Sequence, residues 1–334
     1  MALSDFLGNT SVVESFKRQL SENRLAGSLL FVGISGVGKW TLAHFISKAI
    51  NCQRRLNDFC DECRSCLKIN QQVHPDVRNY APDGPFIKIN QMREMSREIF
   101  FKPFEGRRRV FIIDNAHRLR LEAANAILRP LEEPPESSLL ILVTDSPNDL
   151  LATIRSRCQQ THFAPFSEAA LESILRQRSD CSTQDLPLVG RISRGSLGKA
   201  LSLDIIQYRQ ARQDLLAAMQ ACAGKFSYHE ASQITESLIS AKQKDLFNFK
   251  VDVLYNLLRD LFLLTVDPTT EGITNTDLHE ELLSLSSSLG VEQVVGATRS
   301  LDHLMRGERR NLNKTLAVDR FLFKLSGSVN LQPI

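Results

Sequence analysis

The sequence predicts an α/β fold, in which helices cover both faces of a mostly parallel sheet, followed by a second half that is all helical. Short apolar runs alternate with helical patterns up to Phe163, and this alternation is typical of parallel sheets. From Ser167 onward the apolar residues recur at helical spacing without a strand-like run. The chain has only 16 glycines and 12 prolines among 334 residues, which indicates regular elements with short connections.

The elements of the first half follow from the spacing of the apolar residues. Residues 12–24 carry apolar side chains at helical intervals, and the apolar run 29–33 ends in a glycine, which is typical of a buried strand. Further apolar runs predict strands, and further helical patterns predict helices. The additional strands are one that opens at 74–77 and two that cover 109–114 and 139–144. The additional helices cover 41–51, 87–100 and 122–133, with a short helix before residue 156.

Changes in composition predict three domains. The first covers residues 1–165, where a proline-containing link leads into a helix N-cap. The second covers residues 166–206 and the third covers residues 207–334, and both carry helical patterns. No period is visible in the sequence, so a solenoid is not expected.

Composition also restricts the location and the partners. The chain has 41 Lys and Arg residues against 38 Asp and Glu residues, and a net charge of +3 does not by itself mark a nucleic-acid-binding protein. We expect the basic run Arg107–Arg109 to be a solvated loop rather than a DNA contact. No apolar run approaches the ~18 residues of a spanning helix, and the first residues lack the features of a signal peptide. The expected location is the cytoplasm, without a membrane partner.

A glycine-rich loop lies between the first predicted strand and the helix that follows it. It has the spacing G-x-x-x-x-G-K of a phosphate-binding loop, with Gly33, Gly36, Gly38 and Lys39. Backbone N–H groups and the helix N-terminus would attract phosphates there. The next residue should carry a hydroxyl for Mg²⁺ but is Trp40, and Thr41 lies about 100° further around the helix axis. We expect binding of ATP or ADP without efficient hydrolysis; the alternative is an accidental glycine-rich turn.

Four of the seven cysteines lie within fifteen residues of one another. They are Cys52, Cys60, Cys63 and Cys66. Four thiolates close a tetrahedral Zn²⁺ site without an open position, so this spacing predicts a structural zinc site in an insertion, residues 52–66, that is too short for its own core. The alternative is four unrelated buried cysteines. We expect simple burial for Cys158, Cys181 and Cys222.

The predicted strand 109–114 ends in a carboxylate, Asp114. In nucleotide-hydrolysing α/β proteins such an Asp completes the Mg²⁺ shell, and a Glu that follows orients the attacking water. Here Asn115 follows, and an amide cannot accept the proton of that water. Asp114 is therefore a candidate for cofactor binding, and the alternative is a helix-capping carboxylate.

Two arginines, Arg155 and Arg157, lie in the short sequence IRSRC that follows the last predicted strand and short helix. An arginine at this point is either a solvated charge or a guanidinium presented to the nucleotide of a neighbouring subunit. In the second case it would neutralise charge in the transition state of phosphoryl transfer.

Several motifs together resemble the clamp-loader branch of the AAA+ ATPases. They are the phosphate-binding loop, the four-cysteine insertion, HPD at 74–76, ANAILRPLEEPP at 124–135 and SRC at 156–158. The resemblance covers about half of the chain. It implies an AAA+ P-loop domain with a parallel sheet and a zinc-module insertion, followed by a small helical lid domain and an all-α collar domain that joins the subunits. Clamp loaders are heteropentamers that use ATP to open a ring-shaped sliding clamp and close it around primed DNA.

The resemblance also implies partners and a division of labour. The partners would be the gamma, tau and delta subunits of DNA polymerase III, a DNA-directed DNA polymerase, and indirectly the sliding clamp and primer–template DNA. Motor subunits of this family carry Thr, Glu and Arg where this sequence has Trp40, Asn115 and Gly198. The departures imply a non-hydrolysing support subunit without independent activity, which lends Arg157, and not Arg155, to a neighbour. The alternatives are an active clamp-loader ATPase and, less favoured by the balanced charge, a zinc-dependent DNA-binding protein.

Overall fold

The computed structural model describes residues 2–178, 181–223, 244–307 and 314–326. The chain divides into two compact units, of which the first comprises residues 1–179 and 193–201 and the second comprises residues 180–192 and 202–334. The expected α/β class with a helical second half is confirmed. The boundaries of three domains, at 165/166 and 206/207, stay a prediction. Residues 224–243, 308–313 and 327–334 of the predicted third domain lie outside the described residues.

The first unit contains a five-stranded parallel sheet with the order β2-β3-β4-β1-β5. Its strands are β1 (Ser28–Val32), β2 (Val77–Tyr80), β3 (Arg109–Ile113), β4 (Ser138–Thr144) and β5 (Gln159–His162). The three central strands β3, β4 and β1 are buried along their whole length, as expected for nearly continuous apolar runs that face helices on both sides.

Helices cover both faces of this sheet. They are α1 (Thr10–Ser21), α2 (Lys39–Asn51), α3 (Arg64–Asn70), α4 (Ile89–Glu98), α5 (Leu121–Ala126), α6 (Leu128–Glu132) and α7 (Ala152–Arg155). Helix α8 (Glu168–Arg178) and, up to residue 201, helix α10 (Leu197–Ser202) also belong to this unit. One cluster of buried side chains includes Phe16 and Ile46, and a separate cluster includes Met92 and Ile127. Two separate cores confirm the expected three-layer arrangement.

The structure differs from the sequence-based prediction at four elements: two were predicted with other bounds, and two were not predicted. Strand β2 begins at Val77 rather than at residue 74, because the backbone N–H of Asp76 donates a hydrogen bond to Nδ1 of His74 and closes a turn before the strand. The predicted helix 122–133 is interrupted at Ile127 and forms α5 and α6. Helix α3 and strand β5 were not predicted. The sequence of β5, QQTH, is polar because this strand lies at the edge of the sheet and is largely exposed.

Helices, and no strands, are the secondary structure of the second unit among its described residues. Its helices are α9 (Leu186–Ser193, up to residue 192), α11 (Ile205–Ala223), α12 (Lys244–Val266), α13 (His279–Ser288), α14 (Val291–Gly307) and α15 (Lys314–Leu325). One continuous core contains Leu257, Leu261, Leu282 and Leu322. Among the described helices of both units, none combines the length and the apolar character needed to cross a bilayer.

Candidate functional site

The glycine-rich loop connects the end of β1 to the start of α2. Gly38 is the N-cap of α2 and has a φ of 101°, and a Cβ at this position would lie 2.7 Å from the ring of Phe6. Both the backbone conformation and the close ring therefore require glycine. Lys39 is the first residue of α2, and its ammonium group donates hydrogen bonds of 2.6 and 2.7 Å to the carbonyl oxygens of Gly33 and Ile34.

Two carboxylates lie near Lys39 at the carboxyl ends of neighbouring strands. Asp114 directly follows β3 and Asp145 directly follows β4. Burial lowers the pKa of Lys39, and the charges of Asp145 and Asp114 oppose this change. Burial raises the pKa of Asp114, and Lys39 partly offsets this effect. The three groups therefore form one electrostatic cluster, in which a desolvated cation could bind an anion and the carboxylates a metal ion.

Asp145 was missed by the sequence reasoning, although it follows an apolar strand as Asp114 does. In parallel sheets, the ligands bind at the carboxyl ends of the strands, so a carboxylate at this point is a signal in itself. Nδ1 of His117 lies 3.1 Å from Oδ1 of Asp145.

A cavity of about 850 Å³ within the first unit brings most of the predicted nucleotide-binding residues together. Gly36, Gly38, Lys39, Thr41 and Asp114 line it, together with Trp40 and Asn115. Gly33 does not line this cavity; its carbonyl oxygen binds the ammonium group of Lys39 instead. The cavity has the volume of a typical ligand site, and its polar groups fit a phosphate-bearing ligand.

Two residues in this cavity, Trp40 and Asn115, occupy the positions at which the resemblance expects a metal-binding hydroxyl and a base. The indole of Trp40 is 38% exposed and stacks on the imidazole of His44, with 3.8 Å between the ring centroids. Burial and the nearby Lys48 lower the pKa of His44 to about 4, so the stacked imidazole is neutral at pH 7. Asn115 donates from its backbone N–H and its side-chain amide to the two carboxylate oxygens of Asp114, at 2.9 and 3.2 Å. Neither residue supplies a hydroxyl or a proton acceptor.

Helix α10 contacts the glycine-rich loop directly. The backbone N–H of Gly198 donates a hydrogen bond of 2.8 Å to the carbonyl oxygen of Gly36. A Cβ at Gly198 would lie 2.9 Å from the Cα atom of Gly36, and a Cβ at Gly36 would lie 2.3 Å from the hydroxyl of Ser196. Since backbone atoms cannot give way as a flexible side chain does, position 198 does not accept a side chain in this arrangement. At Gly36 the φ of 75° itself favours glycine.

The four predicted zinc ligands form one buried cluster. Their Sγ atoms all lie within 4.8 Å of one another. The Sγ atoms of Cys52 and Cys60 are 3.7 Å apart, and those of Cys52 and Cys63 are 4.0 Å apart. A tetrahedral site with Zn–S bonds of about 2.3 Å places its sulfur atoms roughly 3.8 Å apart, so these residues fit a closed zinc site. Cys66 completes the set.

Backbone and side-chain contacts hold this cluster in place. The backbone N–H groups of Arg55 and Cys63 donate to the Sγ atoms of Cys52 and Cys60, both at 3.3 Å. Such bonds stabilise thiolate ligands and orient them. Zinc bound here would close the insertion as a structural ion, since the four thiols leave no position for a substrate.

We expect purified protein to contain about one zinc ion per chain. Replacing Cys63 with serine should remove most of it, because a hydroxyl is a poor replacement for a thiolate ligand. Inductively coupled plasma mass spectrometry measures the metal content. The variant Cys181→Ser is the matched control and should keep the full zinc content; a Cys63→Ser protein that also keeps it would contradict the assignment.

Arg157 follows α7 and is partly exposed, with 34% of its side chain accessible. Its Nε donates a hydrogen bond of 2.8 Å to Oε1 of Glu132, and its Nη1 donates one of 3.0 Å to the carbonyl oxygen of Thr153. Arg157 does not line the nucleotide cavity of its own chain. Cys158 beside it is buried, and burial raises the pKa of its thiol to about 12, so this cysteine is chemically inert at neutral pH.

Comparison with known proteins finds similarity to subunits of DNA polymerase III. Residues 8–167 match the family model described as "DNA polymerase III, delta subunit". The chain is 29% identical over 280 residues to DNA polymerase III subunit gamma/tau of Mycoplasma pneumoniae, covering 79% of this chain and 40% of that protein. It is 34% identical over 164 residues to DNA polymerase III subunit delta' of Bacillus subtilis, covering 49% of this chain and 50% of that protein.

One solved structure aligns along most of the chain. It is a gamma-subunit-related protein of DNA polymerase III from Thermotoga maritima, with a TM-score of 0.47 and 19% identity over 94% of this chain and 98% of that one. The chain spans half or less of the length of the two sequence relatives named above. The matched family model, which spans just under half of the chain, and these relatives support the assignment of the chain to the clamp-loader family of DNA polymerase III subunits.

Proposed function

We propose that the chain is a delta-prime subunit of the clamp loader, a support that does not hydrolyse ATP and that supplies Arg157 to the ATP site of a neighbouring motor subunit. The complex would load the sliding clamp onto primed DNA. Relatives named gamma/tau and delta' are both similar to this chain, so the similarity alone does not separate the two roles. The proposal rests on the residues of the nucleotide cavity.

The observation that carries the proposal is the position of Trp40. It directly follows the phosphate-loop lysine, where a hydroxyl would bind Mg²⁺. The stacking of its indole on His44 fixes an aromatic ring there. Thr41 also lines the cavity, but it is the next residue on the helix and lies about 100° away from the direction of residue 40.

Asn115 and Gly198 also support the proposal that this chain does not hydrolyse ATP. Asn115 cannot act as a base for water, and its amide bonds to the carboxylate of Asp114. Gly198 lies where motor subunits carry the arginine that senses the γ-phosphate, and its contact with Gly36 excludes a side chain. Nucleotide binding itself remains compatible with the cavity, in which the loop N–H groups and Lys39 would hold the phosphates and Asp114 would face the metal ion.

Arg157 has the exposure that a role in another subunit requires. Its guanidinium is already charged and hydrogen-bonded to Glu132, so contact with a neighbour's phosphates would exchange one anionic partner for another. The proposed partners are the gamma, tau and delta subunits, with the helical second unit forming the contacts that hold the pentamer together.

The second candidate function is an active clamp-loader ATPase. Lys39 and Asp114 favour it, because both are present and line the same cavity. In that case Thr41 or a water molecule would complete the Mg²⁺ shell in place of the missing hydroxyl.

ATP hydrolysis by the purified chain distinguishes the two candidates. We expect the chain with Mg²⁺ and ATP to release phosphate no faster than its Lys39→Ala variant, because residue 40 offers no metal ligand and residue 115 no base. A coupled enzyme assay measures the rate. Magnesium-dependent turnover that is lost in Lys39→Ala would instead establish the active ATPase.

A further inference from the structure

The loop between α4 and β3, residues 99–108, carries exposed aromatic rings next to a run of arginines. The side chains of Phe100, Phe101 and Phe104 are 44%, 60% and 86% exposed. The guanidinium of Arg129 lies 5.4 Å from the ring centroid of Phe100 and so covers a face of that ring. Among the described residues, neither Phe101 nor Phe104 stacks on another ring or lies under a cation. Their faces are therefore available for a ligand.

The exposure of Phe104 results from a fixed backbone. The buried carboxylate of Asp76 accepts hydrogen bonds of 2.8 Å from the backbone N–H groups of Phe104, Glu105 and Gly106. The side-chain oxygen of Asn51 accepts two more from the backbone of Arg107 and Arg108. Five hydrogen bonds thus fix a short segment, so that its rings and cations are presented in a defined arrangement before any ligand arrives.

Arg107 and Arg108 of the same loop line a small cavity of about 220 Å³. Its other polar lining residues are Gln19, Asn23 and Asn57, and no carboxylate lines it. The sequence reasoning expected this basic run to be solvated, but Arg108 is only partly exposed and Arg109 is buried. Burial lowers the pKa of Arg108, which indicates a desolvated cation.

Three hydrogen-bond donors of this region have no hydrogen-bond acceptor among the described residues. They are Nε of Arg108, Nε of Arg109 and the side-chain nitrogen of Asn51, and all three are buried atoms. A buried donor without an acceptor costs free energy, and a ligand rich in oxygen atoms would remove this cost. In addition, the nearby carboxylates of Glu98 and Glu105 are already paired with Arg109 and Lys68, at 3.1 and 2.6 Å.

We propose that the loop 99–108 binds single-stranded nucleic acid, with bases stacking on Phe101 and Phe104 and a backbone phosphate bound by Arg107 and Arg108. Aromatic faces beside cations are the combination with which proteins bind single strands regardless of sequence. A duplex hides the faces of its bases, so the rings favour a single strand. Phe104 and Arg107 are three residues apart, at most about 11 Å, and can contact neighbouring nucleotides. This proposal goes beyond the role of Arg157 and does not depend on it.

Fluorescence anisotropy with a labelled oligonucleotide of twenty thymidines tests the proposal on the full chain. We expect Phe104→Ala to weaken binding by about 5-fold to 150-fold, the range for loss of one stacked base, and Phe104→Trp to bind as the wild type does. Arg107→Ala should weaken binding and reduce the slope of log affinity against log salt concentration by about 0.7. The controls are Ile206→Ala and Arg24→Ala, which remove equally exposed side chains elsewhere and should leave binding unchanged.

Three results would overturn the proposal. The first is no binding of the oligonucleotide by the wild type at 50 mM salt or below. The second is equal binding by the wild type, Phe104→Ala and Arg107→Ala, which would place any binding elsewhere. The third is unchanged oligonucleotide binding by Phe104→Ala together with loss of its co-elution with other clamp-loader subunits, which would make the loop a protein contact. Because Phe104 is exposed, its substitution should not affect folding, and a thermal melt checks this.

Discussion

Replacing Arg157 with alanine should slow ATP hydrolysis by about 10³-fold or more at the site of the neighbouring subunit that this arginine is proposed to complete. The guanidinium would neutralise charge that develops on the transferred phosphoryl group, so its loss affects the chemical step. Single-turnover hydrolysis by a complex reconstituted from purified subunits measures this step without contributions from product release. The complex itself should assemble with unchanged stoichiometry, because Arg157 is partly exposed and its side chain forms hydrogen bonds only with Glu132 and Thr153 among the described residues.

Two further variants separate a catalytic role from a structural one. Replacing Glu132 with alanine removes the same ion pair from the other side. If the pair only stabilised the chain, Glu132→Ala and Arg157→Ala would lower hydrolysis alike; we expect Glu132→Ala to retain it. Arg157→Lys should also be slow, since an ammonium group lacks the planar fork of a guanidinium. Full single-turnover hydrolysis by the Arg157→Ala complex would show that another residue serves the neighbouring site.

Replacing Asp76 with alanine should lower the free energy of unfolding by about 3–5 kcal/mol. The substitution removes a buried carboxylate that lies 3.7 Å from Nε of Arg109 and accepts three backbone N–H groups. It therefore leaves a buried guanidinium with one ion pair fewer and three donors without their acceptor. Urea unfolding followed by the fluorescence of Trp40, the only tryptophan of the chain, reports on the unit that contains Asp76. Asp83→Ala, which removes an exposed ion pair with Lys88, should cost about 1 kcal/mol or less.

The effect of Asp76 should also depend on pH. Burial by itself raises the pKa of this carboxyl group, but the N–H groups of Phe104, Glu105 and Gly106 outweigh it and bring the pKa below its usual value. A lowered pKa in the folded state means that the carboxylate stabilises the fold above its ordinary pKa of about 4. The difference between wild type and Asp76→Ala should thus be constant from pH 7 to pH 5 and should shrink as the pH falls below about 4. A difference that grows on acidification would contradict this account.

Strands with continuous apolar runs were predictable, and the polar edge strand was not. Strands β1, β3 and β4 are buried on both faces, so each leaves a local signal in the sequence. Strand β5 exists because residues 159–162 pair with residues 29–32 of β1, which no local pattern encodes. The same reason applies to helix α3, which contains Cys66 of the four-cysteine cluster and in which the side chain of Cys63 accepts the N-terminal hydrogen bond.

In the candidate site, too, the features with a local sequence pattern were predictable, and those that depend on distant contacts were not. The glycine-rich loop and the four cysteines have fixed local spacings, and the structure brings each group together. The role of Asp76 could not be inferred, because its partners lie 28 to 30 residues further along the chain. Asp145 and the contact of Gly198 with Gly36 likewise depend on how separate segments meet.

The contact between Gly36 and Gly198 also bears on how such a chain can evolve. An arginine introduced at position 198 would have to displace helix α10 from the glycine-rich loop, because its Cβ would overlap the backbone of Gly36. Under the proposed non-hydrolysing role, that change alone would cost stability without restoring hydrolysis, since positions 40 and 115 would still lack the metal ligand and the base. Changes at positions 40 and 115 alone would leave position 198 without the arginine that the resemblance assigns to motor subunits. The proposal therefore implies that several jointly required substitutions separate such a chain from hydrolysing relatives, so that its loss of hydrolysis would be difficult to reverse.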